Sequence, residues 1–184
     1  MEKITSEMGI VELGSYICTE LEKEGVDVAL SGEACMEIYS KKFASYDIDL
    51  IERYSTQHKT IMKVMEKLGF EQDRGKYFKH KNNQYMVEFP TGPVTVGDEF
   101  VKEFATIETE FGLLRLLSVT DCIKDRLSAF VYHFDEECLY QAVDVALNNK
   151  IDYENLDKWV TNEAGNSMQK GYDRFTKEIE LQSK

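Results

Sequence analysis

The chain has 184 residues, of which 42% are hydrophobic and 30% charged, with only two prolines. This length and composition suffice for one medium domain or two small ones with a buried core, and they argue against long disordered segments. The formal net charge of −12 argues against broad, non-specific binding to nucleic acid or to anionic membranes, whereas a local site for divalent cations fits it.

Neither the cysteines nor the N-terminal residues indicate an extracellular or membrane protein. The four cysteines form no C-x-x-C pair, so we expect reduced, buried thiols. The first 16 residues lack the basic and apolar regions of a signal peptide. No apolar run approaches the roughly 20 residues that span a bilayer. We therefore expect a cytoplasmic protein with no membrane partner.

The first part of the chain predicts alternating helices and strands. Residues 4–23 have the apolar spacing of an amphipathic helix that ends near Gly25. A short buried strand in VDVALSG, a helix in EACMEIYSKK and a second strand in SYDIDLIE follow. A further helix in HKTIMKVMEKLG precedes three strand-like pieces, FEQD, KYFKHK and YMVEFP. This order predicts a small mixed sheet flanked by helices.

The second part of the chain predicts a change to helices. Residues 91–119 carry glycines and a proline and show no clean hydrophobic period. From Thr120 onward four helical segments follow one another, the first with a Thr-Asp cap. The sequence therefore predicts an α+β fold, with the sheet in residues 1–117 and a C-terminal helical bundle in residues 118–184.

Two aspartates interrupt the apolar run SYDIDLI. Because side chains alternate along a strand, Asp47 and Asp49 project from the same face. Such a pair favours a compensating cation, and Mg²⁺ prefers one or two carboxylates together with phosphate oxygens. If the strand bearing Glu88 pairs beside theirs, the three carboxylates could hold two metal ions for phosphoryl transfer. The alternatives are a solvated edge-strand face for the aspartates and an exposed strand residue for Glu88.

The stretch VALSGEACMEIYSKKFASYDIDLI resembles the signature of the nucleotidyltransferase superfamily, which includes DNA polymerase β and the minimal nucleotidyltransferases. In that signature a strand ends in a small-residue turn, a helix follows, and the next strand carries Asp-x-Asp. Ser31 and Gly32 match the turn, and Gly32 lies fifteen positions before Asp47. The stretch is most similar to bacterial nucleotidyltransferase-like toxins of the AbiEii type, in which S-x-D-I-D-L begins at a serine equivalent to Ser45.

The resemblance implies a sheet of the nucleotidyltransferase type and a set of site residues. It implies that the nucleoside triphosphate is bound by Ser31, Gly32 and Ser45. It further implies that Mg²⁺ or Mn²⁺ is bound by Asp47, Asp49 and Glu88, with Glu88 acting as a metal ligand or as the base.

The resemblance also extends to the C-terminal helices. Toxin-like relatives carry a basic residue there, for which Lys124 and Arg126 are the candidates to reach phosphates. The alternative for both is a salt bridge along the helix with Asp121, Asp125 or Asp135.

Two functions follow as hypotheses. The first is a Mg²⁺-dependent nucleotidyltransferase that transfers a nucleoside monophosphate to an acceptor hydroxyl of RNA, protein or a small molecule, in a role related to toxin–antitoxin systems. The second is a catalytically degenerate relative that binds a nucleotide or a protein. Glu33, beside the expected triphosphate, favours the second, as does Glu137-Cys138 where relatives have Arg-Asp. A glycosyltransferase using Asp-x-Asp is disfavoured by the short chain.

Two further surfaces carry open alternatives. The stretch RGKYFKHKNNQY interleaves basic and aromatic residues, which is typical either of nucleic-acid contact or of an ordinary polar hairpin. Aromatic residues recur on the C-terminal helices and predict core packing or a homodimer surface: Tyr132, Phe134, Tyr140, Tyr153 and Trp159.

Overall fold

The computed structural model describes residues 4–54, 57–73, 76–163 and 166–183, which form two compact units. Of the described residues, those within 1–34, 45–94 and 104–116 form the first unit, and those within 35–44, 95–103 and 117–184 form the second. The predicted division at residue 117 differs from this grouping, because two earlier segments belong with the C-terminal helices. As a statement about independent domains, that division stays a prediction.

The elements in chain order are α1 (Ile10–Lys23), β1 (Val28–Ser31), α2 (Gly32–Tyr39), β2 (Asp47–Glu52), α3 (His58–Lys67), β3 (Phe70–Gln72), β4 (Tyr77–His80), β5 (Met86–Glu88), β6 (Thr95–Val96), β7 (Glu99–Phe100), β8 (Ala105–Thr109), β9 (Gly112–Leu116), α4 (Val119–His133), α5 (Glu136–Asn148), α6 (Tyr153–Asn162) and α7 (Asn166–Gln182).

A mixed sheet dominates the first unit. Among the described residues, seven strands pair in the order β3-β4-β5-β2-β1-β9-β8. Strand β2 is antiparallel to β1 and parallel to β5, and β1 is parallel to β9. The strand that carries Asp-x-Asp is thus the central strand of the sheet. This architecture confirms the predicted α+β fold with a small mixed sheet and flanking helices.

One face of the sheet forms the core of the first unit. Its central strands contribute fully buried side chains, namely Leu30, Ile48, Leu50 and Val87. Helix α1 packs on this face, since a Cβ atom added to Gly14 would lie 3.1 Å from Leu114. Helix α3 contacts α1 and β3, and it buries Ile61, Val64 and Met65. The sequence predicted this core because apolar residues alternate along the strands and recur at helical spacing in α1 and α3. Each pattern places the apolar side chains on one face of its element.

Two local predictions need correction. Helix α1 begins at Ile10 and not at residue 4, because Gly9 precedes it and donates its N–H to Glu12 Oε2 at 3.1 Å. The segment without a clean period holds four strands, and β9 inserts beside β1 through the pair Leu30 and Leu116. The run GLLRLL does not alternate in polarity, so it gave no strand signal.

The second unit contains helices α4 to α7, the hairpin of β6 and β7, and residues 35–44 with most of α2. Its four successive helices confirm the predicted C-terminal helical part. Its core includes Ile123, Leu127, Leu139, Val143 and Phe175. Trp159 is buried and donates its indole N–H to the carbonyl oxygen of Val96 at 3.0 Å. The other aromatic residues named above are 42 to 86% exposed, so they do not pack in this core, and a homodimer surface stays a prediction.

Helix α4 is capped by a residue that the sequence pattern did not select. Ser118 precedes the helix and its hydroxyl accepts a hydrogen bond from the backbone N–H of Asp121 at 3.1 Å. The predicted cap at Thr120 lies inside the helix. Helix α4 therefore begins two residues earlier than predicted, because the Ser118 hydroxyl supplies the oxygen that accepts a backbone N–H at the N-cap.

The cysteines behave as the sequence predicts. All four are free and buried. Burial raises the pKa of the Cys18 thiol to about 12, which leaves it protonated and unreactive at neutral pH. No helix in the described part of the chain combines the length and the apolar character needed to cross a bilayer.

Asp144 is a buried carboxylate of the second unit, and it holds the turn after α2. It is 2% exposed, and its Oδ2 accepts hydrogen bonds from Ser40 Oγ at 2.7 Å and from the Lys41 N–H at 2.8 Å. Burial raises the pKa of this carboxyl, but the bonds from Ser40 and Lys41 and the charge of Lys42 outweigh burial and lower the pKa below its ordinary value.

We expect Asp144→Asn to lower the free energy of unfolding at pH 7 by about 1–3 kcal/mol, because a neutral amide accepts the bonds from Ser40 and Lys41 more weakly than a carboxylate does, and its NH2 group replaces the oxygen that faces Asn148 and Lys42. A carboxyl with a lowered folded-state pKa stabilises the fold above its unfolded pKa of about 3.9, and this contribution disappears as pH falls through the folded value. The difference between wild type and variant in urea unfolding should therefore shrink below pH 4. Asp173→Asn, at an exposed position, is the control; a pH-independent difference would contradict the assignment.

Candidate functional site

Asp47 and Asp49 lie on the sheet face opposite the core. Both are half-buried, whereas Ile48 and Leu50 between and beyond them are fully buried on the core face. Because β2 is the central strand of the described sheet, the alternative of an edge strand for Asp-x-Asp is wrong. We call this side of the sheet the carboxylate face, defined by Asp47, Asp49 and Glu88.

Three polar side chains form one row across neighbouring strands of the carboxylate face. Ser31 of β1 is the register partner of Asp49, and Asp49 is the register partner of Glu88 in β5. Register partners place their side chains on the same face, about 5 Å apart. Ser31 and Glu88 are each 4% exposed. The condition set by the sequence, that the strand of Glu88 pairs beside that of Asp49, is met.

Gly32 brings the start of α2 against Asp49. Its φ of +65° lies in the left-handed region, and a Cβ atom at this position would overlap the Asp49 carboxylate. Only glycine therefore allows the backbone to approach this carboxylate so closely. The N–H groups in the first turn of α2 have no partner within the helix, which makes them donors for an anion at this end of the row.

Ser45 lies beside Asp47 and fixes its position. The Ser45 hydroxyl is within hydrogen-bond distance of the Asp47 carbonyl oxygen at 2.9 Å and of Asp47 Oδ1 at 3.1 Å. Ser45 is 4% exposed. The residue is thus placed to orient a carboxylate, and its predicted contact with the nucleotide stays a prediction.

A lysine forms an ion pair with Glu88, the third carboxylate of this face. Lys76 lies directly before β4, and its ammonium forms an ion pair with Glu88 Oε1. The hydrogen bond to Glu88 is the main reason that the pKa of Lys76 is raised, and the charges of Glu88 and Asp49 act in the same direction. The sequence placed Lys76 only in a basic hairpin. The pairing of Tyr77 with Glu88, which places this end of β4 beside Glu88, became evident only from the structure.

The carboxylate face fits a divalent cation in part. Two half-buried aspartates on one face match the preference of Mg²⁺ for one or two carboxylates completed by phosphate oxygens and water. Within residues 4–54, 57–73, 76–163 and 166–183, however, no group of three or more His, Cys, Asp or Glu side chains is arranged to hold a metal ion. The structure brings Glu88 beside Asp49, but Lys76 engages it, and metal binding by Glu88 stays a prediction.

Comparisons with known proteins identify the fold. No family model matches the sequence, and no curated protein matches it. Among solved structures, an antigenic nucleotidyltransferase-like protein from Paracoccidioides brasiliensis matches with a TM-score of 0.60. The match has 13% sequence identity and covers 97% of this chain and 92% of the other. The chain has a nucleotidyltransferase-like fold.

The comparisons do not extend to activity. The solution structure of the antibiotic-resistance factor ANT(2'')-Ia matches with 15% identity over 91% of each chain, but its TM-score is 0.39. That score does not bear on the substrate of the present chain. At 13% identity the Paracoccidioides structure establishes the nucleotidyltransferase-like fold alone. A closer relation to AbiEii-type toxins stays a prediction.

The two basic residues predicted to reach phosphates lie in the second unit of this nucleotidyltransferase-like fold. Lys124 is fully buried and pairs with Glu99 Oε1 at 3.0 Å and with Asp121 Oδ1 at 3.1 Å. Arg126 pairs with Asp125 at 2.6 Å. The structure therefore shows ion pairs with Asp121 and Asp125, which were the alternative. A contact with phosphate stays a prediction for both.

The basic hairpin of the nucleotidyltransferase-like fold is divided between the two faces of the sheet. Tyr77 and Lys79 project from the carboxylate face, because they are register partners of Glu88 and Met86. His80 is 6% exposed and lies against the ring of Phe70, with the ring centroids 5.2 Å apart. Arg74 and Gly75 of this segment lie outside the described residues, and the part from Lys76 onward is not one continuous basic surface. Nucleic-acid contact stays a prediction.

Proposed function

We propose that this protein is a Mg²⁺-dependent nucleotidyltransferase that transfers a nucleoside monophosphate from a nucleoside triphosphate to an acceptor hydroxyl and releases pyrophosphate. The observation that supports this function is the row of Ser31, Asp49 and Glu88 across three adjacent strands. Asp47 stands beside the row on the same face, and Gly32 opens a helix at its end.

Each residue has a role in binding and orienting the triphosphate. Asp47 and Asp49 would hold Mg²⁺ against the phosphates, and Ser45 keeps Asp47 in place. Gly32 lets the phosphates approach the backbone, where Ser31 and the N–H groups of α2 can donate hydrogen bonds. The ion, when bound, would neutralise charge on the phosphates.

Catalysis on this proposal comes from positioning and charge compensation. The carboxylates are held on a sheet with a buried opposite face, so they lose little entropy when the substrate binds. Glu88 is the candidate to accept the proton of the acceptor hydroxyl or to contact the ion. The proton would pass from the attacking hydroxyl to this carboxylate as the new P–O bond forms and the bond to pyrophosphate breaks.

The acceptor class and the setting belong to the proposal as well. An RNA end, a protein hydroxyl and a small molecule such as an antibiotic are the acceptor classes, in a cytoplasmic protein. The net charge of −12 disfavours RNA among them, because the overall field repels a phosphate backbone.

Labelled substrates test the proposed reaction. The chain is incubated with Mg²⁺, fractionated cell extract and each of ATP, GTP, CTP and UTP labelled at the α-phosphate. We expect one extract fraction to become labelled with at least one nucleotide, with equimolar pyrophosphate released and both signals abolished by EDTA. Absence of label and pyrophosphate with all four nucleotides would contradict the proposal.

A second candidate function is a nucleotide-binding module without turnover. The ion pair between Lys76 and Glu88 favours it, because that pair engages the carboxylate that would serve as the base. Thermal denaturation with each nucleotide, with and without Mg²⁺, distinguishes the two functions. A ligand at 100 times its Kd stabilises the folded state by about 2.7 kcal/mol. Stabilisation without pyrophosphate release would favour the binding module.

A further inference from the structure

We propose that Lys76 takes the place of a second metal ion in this site. On this view Lys76 neutralises Glu88, and the carboxylate face binds a single divalent cation through Asp47 and Asp49. The inference rests on the proposed function, because it concerns which positive charges compensate the carboxylates of the same nucleotide site. It assigns a positioning role to Lys76, which acts through Glu88.

Lys76 reaches Glu88 from the position directly before β4. Strands β4 and β5 pair in an antiparallel hairpin in which Tyr77 is the partner of Glu88. Lys76 precedes Tyr77 and lies outside the strand, so strand alternation does not fix the direction of its side chain, and its ammonium pairs with Glu88 Oε1. Lys79, further along β4, pairs with Asp73, whereas Lys76 pairs with Glu88.

The burial of the two partners explains why a lysine suits this position. The Glu88 side chain is 6% exposed, whereas the Lys76 side chain is 67% exposed. A buried carboxylate next to Asp49 favours a compensating charge, because repulsion between like charges and lost hydration are both unfavourable. Lys76 supplies that charge while most of its side chain stays exposed to water. The pair therefore compensates the charge of Glu88 without a second metal ion.

The ion pair also opposes a second metal ion. Such an ion would have to coordinate the oxygens of Glu88, one of which Lys76 already engages. It would also lie a few ångströms from an ammonium, and the repulsion between the two cations would weaken its binding. Ser45 holds Asp47 in place for the first ion. This arrangement favours the binding of one divalent cation, at Asp47 and Asp49.

Manganese binding tests the inference without requiring turnover. The probe is Mn²⁺ alone, titrated into the full chain and followed by the electron paramagnetic resonance signal of free Mn²⁺. We expect wild type to bind one Mn²⁺ that is lost in Asp49→Asn. We expect Lys76→Met to bind a second Mn²⁺, and the double variant Lys76→Met/Glu88→Gln to return to one. Circular dichroism verifies that each variant is folded.

A matched lysine provides the control. Lys67 on α3 also pairs with a glutamate, Glu24, and its side chain is 70% exposed, close to the value for Lys76. Lys67→Met should therefore leave the Mn²⁺ stoichiometry at one. Two ions in wild type, or one ion in Lys76→Met, would overturn the role of Lys76 while leaving the proposed function standing. No Mn²⁺ binding that depends on Asp49 in any variant would overturn the metal-dependent function, and this inference with it.

Discussion

Asp49→Asn is expected to reduce nucleotidyl transfer by at least about 100-fold while leaving the protein folded. Asp49 is the middle member of the row between Ser31 and Glu88, and its carboxylate lies against the backbone of Gly32. The variant keeps the size of the side chain and removes the charge that would attract Mg²⁺ and position the phosphates. The rate of pyrophosphate release, with the nucleotide and extract fraction that become labelled, measures the effect.

The stability of the variant separates chemistry from folding. Asp49 is half-buried and stands next to another carboxylate, so removing its charge relieves repulsion on the carboxylate face. We therefore expect the free energy of unfolding to change by no more than about 1 kcal/mol. Glu108→Gln, at an exposed position on the edge strand β8, is the control and should keep the full rate. An undiminished rate in Asp49→Asn would contradict the proposed mechanism.

The sequence predicted the central part of this site because its signals are local. The period-two pattern of SYDIDLIE places Asp47 and Asp49 on one face without knowledge of any other strand. The small-residue turn at Gly32 is equally local, and its left-handed φ is what a glycine at such a turn provides. The fold class followed from the order of the elements, and the structure confirms it.

The remaining features depend on partners that are distant in sequence. Strand β9 lies beside β1 through a pair 86 residues apart, Leu30 and Leu116, and no local period announces such a pairing. Whether β2 is interior or at an edge depends on whether β5 pairs beside it, through residues such as Ile48 and Val87 that are also distant in sequence. The contact of Lys76 with Glu88 requires both the hairpin register and the direction of a long side chain. For Lys124 the nearby partner Asp121 was among the alternatives, but Glu99 on a different element was not.

Gly32→Ala is expected to weaken Mg²⁺-dependent nucleotide binding by at least tenfold and to destabilise the fold. Two effects combine, because alanine disfavours the φ of +65° and its Cβ atom would overlap the Asp49 carboxylate. The backbone term costs about 1–2 kcal/mol. Displacement of Asp49 would then move a proposed metal ligand out of the row. Urea unfolding measures the first effect, and the nucleotide-dependent rise in melting temperature measures the second.

Gly25→Ala is the control that separates these two effects. Gly25 has a comparable φ of +78°, but an added Cβ atom would meet no other atom within 4 Å. Gly25→Ala should therefore lose about the same 1–2 kcal/mol for the left-handed backbone, without any cost of overlap, and should keep nucleotide binding intact. The double variant Gly32→Ala/Asp49→Ala should recover the stability that the overlap removes, but not the binding. If the two glycine variants lost equal stability and bound nucleotide equally well, the contact between Gly32 and Asp49 would have no functional role. Under the proposed function, the contact between Gly32 and Asp49 sets the distance between the phosphate-binding backbone of α2 and the metal-binding strand β2. Of the two glycine variants, only Gly32→Ala disturbs this contact, so only Gly32→Ala should lose nucleotide binding together with stability.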